Sequence, residues 1–190
     1  RHLEARSLGV VEIEYFEAMT RIILIDDHQL VREGLKALLE KRQGFEVIGE
    51  ATNGRDGIRL AKKQQPDVVI MDVAMPDLNG IDATRRILQF LPDTKVIGLS
   101  MHADGRYVER MISAGAKGYL HKHRASSELI NAIEQAGRGR MFLSPGCEKP
   151  EAVDSSIEPS SELLSVRERE ILQLLAEGHS NKGISELLSI

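Results

Sequence analysis

Residues 66–87 read PDVVIMDVAMPDLNGIDATRRI, and the run DVVIM at Asp67 to Met71 within them decides the fold class. A strand that is almost wholly apolar is buried on both faces, as in a parallel sheet covered by helices on both sides. After a polar turn, apolar residues recur at helical spacing from Ile81 to Gln89. This stretch therefore predicts one strand-then-helix unit of an α/β domain.

The same pattern recurs along the chain and gives five strand-then-helix units. The predicted strands are Arg21 to Ile25, Phe45 to Ile48, Asp67 to Met71, Lys95 to Leu99 and Lys117 to Leu120. The predicted helices are Val31 to Leu39, Gly57 to Gln65, Ile81 to Gln89, Tyr107 to Ala114 and Ser127 to Ala136. Such alternation predicts a doubly wound, five-stranded parallel sheet with right-handed crossovers. The flavodoxin-like order 2-1-3-4-5 is expected, and it places the loops after strands 1 and 3 side by side.

The composition changes after Gly139, where Pro, Ser and acidic residues replace most large apolar ones, as is typical of a linker. Beyond it, Ser165 and Glu168 have the spacing of a helix capping box, and a second short helix is expected after Gly178. The predicted organisation is an N-terminal extension at 1–18, an α/β domain at 19–140, a linker at 141–164 and a partial all-α domain at 165–190.

The composition and net charge limit which partners and which cellular compartment are expected for the protein. The 190 residues carry a formal net charge of −4, which provides no global basic field for nucleic acid. Cys147 is the single cysteine, so no disulfide framework forms within one chain. No apolar run is long enough to span a bilayer, and no signal peptide precedes Met19, so we expect a cytoplasmic protein without a membrane partner. Met19 is a candidate natural start, and residues 1–18 are then an upstream extension; an ordinary flexible tail is the alternative.

Three carboxylates and two further polar groups follow or end strands that lie at one edge of the predicted sheet. Asp26, Asp27 and Asp72 would form a dense negative pocket, and hard oxygen ligands of this kind select Mg²⁺. A carboxylate such as Asp72 can attack phosphorus to form an aspartyl-phosphate, with Lys122 supplying positive charge and Ser100 a hydroxyl donor. Any one of these residues alone is more simply a cap, a turn former or a solvated charge. Their joint placement favours a phosphorylation site.

Four stretches closely resemble the receiver domain of bacterial response regulators, and together they cover nearly the whole first domain. They are ILIDDHQLVREGLKALL at 23–39, PDVVIMDVAMPDLNGIDATRRI at 66–87, VIGLSMHAD at 96–104 and AGAKGYLHK at 114–122. The resemblance implies that Asp72 is the phosphoacceptor and receives its phosphoryl group from a sensor histidine kinase. It also implies that Asp26, Asp27, Asp72 and the backbone carbonyl of Ala74 hold Mg²⁺.

The resemblance further implies a switch around the phosphoryl group. Ser100 and Tyr119 resemble the family's switch pair, in which the hydroxyl moves toward the phosphoryl group and the ring turns inward. Lys122 resembles the lysine that senses the phosphoryl oxygens, and Pro76 and Gly80 resemble the loop residues that shape the site. A phosphoryl group adds about −1.5 to −2 charge, enough to bias two packings of the fourth and fifth units.

The C-terminal stretch LLSVREREILQLLAEGHSNKGISELLSI at 163–190 resembles the opening of the LuxR-type helix-turn-helix domain of the NarL/FixJ family. In a helix-turn-helix the second helix reads bases in the major groove. That helix would begin just after Ile190, so we expect this chain to be C-terminally incomplete, with no DNA-binding residues of its own. The two helices that remain are expected either to fray or to dock on the receiver.

Three functional hypotheses follow, and the first is a two-component response regulator. Phosphorylation of Asp72 would switch the Ser100/Tyr119 face and release or dimerise an effector domain that binds promoter DNA in the full-length parent. The second is a stand-alone phospho-receiver interaction module without DNA binding. The third, a hydrolase with an aspartyl-phosphate intermediate, is weak because such phosphatases carry two aspartates two positions apart after the first strand. We expect no enzymatic activity beyond self-phosphotransfer and autodephosphorylation.

Overall fold

The computed structural model describes residues 19–101, 104–147 and 165–188, and its centre is a six-stranded parallel sheet in the order β2-β1-β3-β4-β5-β6. The strands are β1 (Thr20–Ile25), β2 (Phe45–Ala51), β3 (Val68–Asp72), β4 (Lys95–Ser100), β5 (Gly118–His121) and β6 (Phe142–Leu143). The predicted flavodoxin-like order is confirmed for the first five strands. The N-terminal extension at 1–18 and linker residues 148–164 lie outside the described residues.

The predicted count of five strands was wrong by one, because β6 adds a short edge strand beside β5. Phe142 pairs with Gly118, and its backbone N–H donates to the carbonyl of Lys117 at 3.0 Å. A strand of two residues is too short to show an alternating pattern, so nothing in the sequence separates it from the linker that was predicted to begin at residue 141.

In the described part of the chain, five helices cover the sheet and two more follow in the C-terminal region. They are α1 (Gln29–Glu40), α2 (Gly54–Gln64), α3 (Gly80–Phe90), α4 (Gly105–Ser113), α5 (Ala125–Gly137), α6 (Val166–Ala176) and α7 (Asn181–Leu188), with a 3₁₀ turn at Lys122–Arg124. The second helix begins three residues earlier than predicted. Its N-cap is Asn53, whose side chain accepts the backbone N–H of Asp56, so capping rather than apolar spacing sets its start.

Alternate residues of the buried strands face two separate hydrophobic layers. Ile23 and Ile25 of β1 pack in the layer that includes α2, α3 and α4, whereas Ile22 and Leu24 pack in the layer that includes α1 and α5. This division explains why the strand sequences are apolar throughout. The carboxyl ends of the strands are left at one edge, between the helical layers.

The C-terminal helices have a small core of their own, formed by Leu174, Ile184 and Leu188 with Ile171 packed against it. The predicted capping box of α6 is confirmed, since Ser165 accepts the backbone N–H of Glu168 and the side chain of Glu168 accepts the backbone N–H of Ser165. Among the described residues, the longest apolar stretch of any helix falls short of what a bilayer crossing requires.

Candidate functional site

The parallel register brings the predicted site residues to one edge of the sheet. Ile25, the last residue of β1, is paired with Met71 of the neighbouring strand β3. The next residue on each chain segment, Asp26 and Asp72, therefore lies at the same edge of the sheet. Ser100 ends β4, and Lys122 directly follows β5. The structure therefore gathers groups that are far apart in sequence, as the strand-end argument predicted.

Lys122 lies between two buried carboxylates. Its Nζ is 2.8 Å from Oδ2 of Asp26 and 2.7 Å from Oδ2 of Asp72, and all three side chains are almost fully buried. Burial by itself lowers the pKa of Lys122, but the hydrogen bonds with Asp26 and Asp72 outweigh it and raise that pKa overall. The lysine is therefore held in its charged form.

Asp72 behaves differently from its ammonium partner. Burial raises the pKa of its carboxyl to about 6, because the hydrogen bond from Lys122 only partly offsets the loss of solvation, and the nearby charge of Asp26 raises it further. One lysine thus serves two buried carboxylates. The arrangement leaves excess negative charge at the site, which an additional cation would stabilise.

His28 also belongs to the site and was missed by sequence reasoning. Its Nδ1 lies 2.8 Å from Oδ1 of Asp27 and 3.2 Å from Oδ1 of Asp26, and it is 4.0 Å from Oδ2 of Asp72. Ligand atoms of these four residues lie within 4.8 Å of one another. The sequence contained one indication of this role, which is that His28 directly follows the two aspartates at the start of α1.

The donor set fits a hard divalent cation such as Mg²⁺. Asp26, Asp27 and Asp72 present carboxylate oxygens, which are the ligands that Mg²⁺ prefers. The loop after β3 folds back on Asp72, because the backbone N–H of Ala74 donates to Oδ1 of Asp72 at 3.2 Å. This contact places the peptide unit of Ala74 beside the acidic cluster.

Gly80 allows the close packing of this loop. A Cβ at this position would lie 1.9 Å from the backbone oxygen of Asp72, so a side chain cannot be placed without moving the strand end. The backbone N–H of Gly80 donates to the carbonyl of Val73 at 3.0 Å, which closes the loop. Only glycine permits this approach.

Ser100 and Tyr119, the predicted switch pair, are both buried and are hydrogen-bonded to each other. Burial raises the pKa of the Tyr119 phenol to about 12, and the hydrogen bond with Ser100 lowers it by less. The aromatic ring lies inside the fold, among the residues of the α2, α3 and α4 layer. The hydroxyl of Ser100 is thus engaged at the end of β4.

The mouth of the site borders the C-terminal helices. A cleft of about 490 Å³ is lined by Asp27 and the loop after β3 on one side and by Gln173 of α6 and its C-cap residue Glu177 on the other. Sequence reasoning left open whether these helices fray or dock on the first domain. In the structure α6 docks on the first domain, where Glu170 pairs with Arg86 and Arg169 with Asp82, and the cleft separates α6 from the acidic cluster.

Comparisons with known proteins match both regions of the chain. The family model "Response regulator receiver domain" matches residues 22–134, and the model "Bacterial regulatory proteins, luxR family" matches residues 162–190. The transcriptional regulatory protein LiaR of Bacillus subtilis strain 168 is 43% identical over 180 residues, which cover 90% of this chain and 83% of LiaR.

Solved structures agree with these matches. The crystal structure of a LuxR-family two-component response regulator from Aurantimonas sp. SI85-9A1 has a TM-score of 0.66 and 38% identity, and the match covers 68% of this chain and 93% of that one. A structure of two RcsB dimers bound to two parallel DNAs has a TM-score of 0.63 and 25% identity, covering 90% of this chain and 83% of that one.

Proposed function

Since the chain belongs to the two-component response regulators that carry a LuxR-type DNA-binding domain, we propose that Asp72 is the residue through which it is switched. Family membership makes the protein a two-component transcription regulator. In the proposed mechanism, Asp72 accepts a phosphoryl group from a histidine kinase. The negative charge that Asp72 gains then changes the conformation of the protein.

The observation that supports Asp72 most strongly is its environment. Its carboxylate ends the central strand β3, is 2% exposed, and is held by Lys122 through a single oxygen. In the transfer, a carboxylate oxygen of Asp72 attacks the phosphorus of a phosphohistidine. A P–O bond forms, the P–N bond breaks, and the imidazole of the kinase leaves. The ammonium of Lys122 neutralises charge on the phosphoryl oxygens.

Asp26, Asp27, Asp72 and the carbonyl of Ala74 would hold Mg²⁺. When bound, the ion supplies positive charge to the transferring phosphoryl group. The excess negative charge of the described acidic cluster supports this assignment, because one ammonium faces more than one buried carboxylate. The imidazole of His28 orients Asp27 from the solvent side.

Ser100 and Tyr119 are the proposed relay. A phosphoryl group on Asp72 offers acceptor oxygens to the Ser100 hydroxyl, which then exchanges its Tyr119 partner for the phosphoryl group. The Tyr119 hydroxyl then loses its hydrogen bond with Ser100, and the packing of the Tyr119 ring against the layer that includes α4 changes. Such a shift would bias two arrangements of β4, α4 and β5.

The proposed partners are a sensor histidine kinase, promoter DNA and a second copy of this protein. The RcsB structure, which holds dimers on DNA, supports the last two by likeness. Sedimentation of the chain with and without a phosphoryl analogue tests dimerisation. An unchanged sedimentation coefficient at concentrations well above those in cells contradicts it.

The central experiment is Mg²⁺-dependent labelling by a small phosphodonor, such as radiolabelled acetyl phosphate. We expect the wild-type chain to be labelled, Asp72→Asn to lose labelling, and chelation to abolish it. Asp93→Asn is the matched control, because Asp93 is an exposed carboxylate away from the site. Undiminished labelling of Asp72→Asn overturns the assignment.

The same variants address the hydrolase hypothesis. We expect no steady turnover of phosphomonoesters by the wild-type chain beyond the slow loss of its own phosphoryl group. Turnover that survives Asp72→Asn would revive an enzymatic function at another residue.

A further inference from the structure

A second cleft, on another side of α4, is lined by residues of three helices. Its volume is about 420 Å³, and its lining residues are Arg85 of α3, Glu109, Arg110 and Ser113 of α4, and Arg169 of α6. Concave spaces of about 300–1,000 Å³ are the usual size of small-molecule sites. We call this space the basic cleft, because most of its charged side chains are arginines.

Two of the arginines share one carboxylate. Nη1 of Arg85 lies 3.0 Å from Oδ1 of Asp82, and Nη2 of Arg169 lies 2.9 Å from the same oxygen. Asp82 is almost fully buried, whereas 37% of the Arg85 side chain is exposed. A guanidinium has five N–H donors, and a single negative charge compensates only one of the two groups. Arg85 therefore keeps both charge and donors for a ligand.

Arg110 supplies a further positive charge. In the part of the chain that the structure describes, its side chain forms neither a hydrogen bond nor an ion pair, although the residue is half-buried. Ser113 lies three positions further along α4, so its hydroxyl is on the same face of the helix. The basic cleft thus presents two guanidinium groups and a hydroxyl to one space, which favours a ligand rich in hydrogen-bond acceptors.

Glu109 is the single carboxylate among the described residues that line the basic cleft. It is exposed, and neighbouring positions of a helix do not face each other, so Glu109 and Arg110 point in different directions. Within the described ranges, no arginine of the basic cleft forms an ion pair with Glu109. Its charge therefore weakens the attraction for an anion without neutralising Arg85 or Arg110.

We propose that the basic cleft binds a small molecule through a phosphate group, held by Arg85 from the α3 side and by Arg110 from the α4 side. A phosphate monoester carries about −1.5 to −2 charge at neutral pH and has three acceptor oxygens, so it matches two guanidinium groups that lack a carboxylate of their own. A carboxylate ligand brings one charge and two oxygens. The proposal does not depend on phosphorylation of Asp72, because no residue of the acidic cluster lines the basic cleft.

The shape of the site favours a small molecule over nucleic acid. Duplex DNA is bound by an extended basic surface that neutralises many phosphates. The basic cleft instead has walls from three helices and offers its charges to one enclosed group. Free phosphate and an organic phosphate such as a nucleotide share the chemistry that the arginines recognise.

Isothermal titration calorimetry of the 190-residue chain at low ionic strength tests the proposal. A chelator keeps the acidic cluster free of metal, and the probes are inorganic phosphate, adenosine 5′-monophosphate, adenosine and acetate. We expect both phosphate probes to bind with a dissociation constant below about 1 mM, and adenosine and acetate to bind at least about tenfold more weakly. Tighter binding of the nucleotide identifies an organic phosphate as the ligand, and equal affinities identify free phosphate.

Substitutions on α3 and α4 locate the bound phosphate. Arg85→Gln and Arg110→Gln should each weaken binding about tenfold or more, because each removes a charge-assisted hydrogen bond. Glu109→Gln should tighten binding about twofold or more, because it removes a repulsive charge. Arg106→Gln is the matched control on α4, since Arg106 is exposed, is paired with Asp104 and does not line the basic cleft. Circular dichroism verifies that each variant keeps its helices.

Several outcomes would overturn the proposal. The first is that neither phosphate probe binds the wild-type chain, and the second is that acetate or adenosine binds as tightly as the nucleotide. Wild-type affinity in Arg85→Gln together with weaker binding in Arg110→Gln would place the ligand in the cleft beside the acidic cluster, which Arg110 also lines. Equal weakening in Arg106→Gln would show a general response to positive charge, and unchanged binding in Glu109→Gln would exclude this location.

Discussion

Nζ of Lys122 lies 2.7 Å from a carboxylate oxygen of Asp72, and yet the pKa of the Asp72 carboxyl rises from its ordinary value to about 6. Burial is the main cause, and the same ammonium also serves Asp26 at 2.8 Å. The site is therefore arranged for charges that arrive from outside, a divalent cation and a phosphoryl group. In their absence the site costs stability.

Asp72→Asn is expected to stabilise the metal-free protein at neutral pH. The folded pKa of about 6 exceeds the unfolded value, so the folded state binds more protons between the two values. Protonation of Asp72 therefore contributes stability that is fully present below about pH 4 and is lost as pH rises through about 6. At pH 7.5 the variant should gain about 1–3 kcal/mol in urea unfolding, and the gain should shrink toward pH 4.

The control for this measurement is Asp93→Asn, which removes an exposed carboxylate and should change stability by no more than about 0.5 kcal/mol. A destabilised Asp72→Asn protein at pH 7.5, or a gain that does not depend on pH, contradicts the charge imbalance described for the site.

Mg²⁺ is expected to stabilise the wild-type protein in proportion to the logarithm of its concentration. At a hundred times the dissociation constant the gain is about 2.7 kcal/mol, because the ion binds the folded state only. Asp72→Asn and Asp27→Asn should each weaken this response, since each removes a carboxylate from the cluster. Thermal unfolding across a Mg²⁺ titration measures it, and an equal response in all three proteins argues against the ligand set.

Gly80→Ala is expected to destabilise the protein by about 2 kcal/mol or more, because the new methyl group meets the backbone oxygen of Asp72 at 1.9 Å. Gly34→Ala is the matched control in the middle of α1, where an added Cβ meets nothing within 4 Å. It should stabilise by about 0.5–1 kcal/mol through helix propensity. Equal effects of the two substitutions in urea unfolding would show that Gly80 has no steric role.

Features that follow from a repeated local pattern of residues could be predicted from the sequence, whereas features that depend on one or two isolated residues could not. The apolar runs predicted the strands, because the pattern of a parallel sheet is local and repeated. The strand order followed from the doubly wound fold, and within it the strand-end positions of Asp26 and Asp72 predicted their meeting. His28 was missed since a single histidine after two aspartates has no periodicity. The two-residue strand β6 was missed for the same reason.

The sequence left open whether α6 frays or docks, and the residues that make the docking contacts could not be predicted from it. Glu170 follows Arg169 in a stretch of alternating charges that also suits a solvated helix face, and its partners Arg55 and Arg86 carry no pattern of their own. Pairing of this kind depends on the relative placement of two domains, which neither periodicity nor capping specifies. The capping box at Ser165, in contrast, is local and was predicted.

Tyr119→Phe is expected to remove a phenol whose pKa burial raises to about 12, and to weaken the fold. Burial raises the pKa of the Tyr119 phenol to about 12, so tyrosinate absorbance after a rapid jump in pH should show a step near that value. The step should vanish in Tyr119→Phe and persist in Tyr107→Phe, whose ring is 37% exposed. Loss of the partner of Ser100 should cost about 1 kcal/mol in urea unfolding. Persistence of the step in Tyr119→Phe would assign the high pKa to another tyrosine and remove the basis for a buried Ser100/Tyr119 pair.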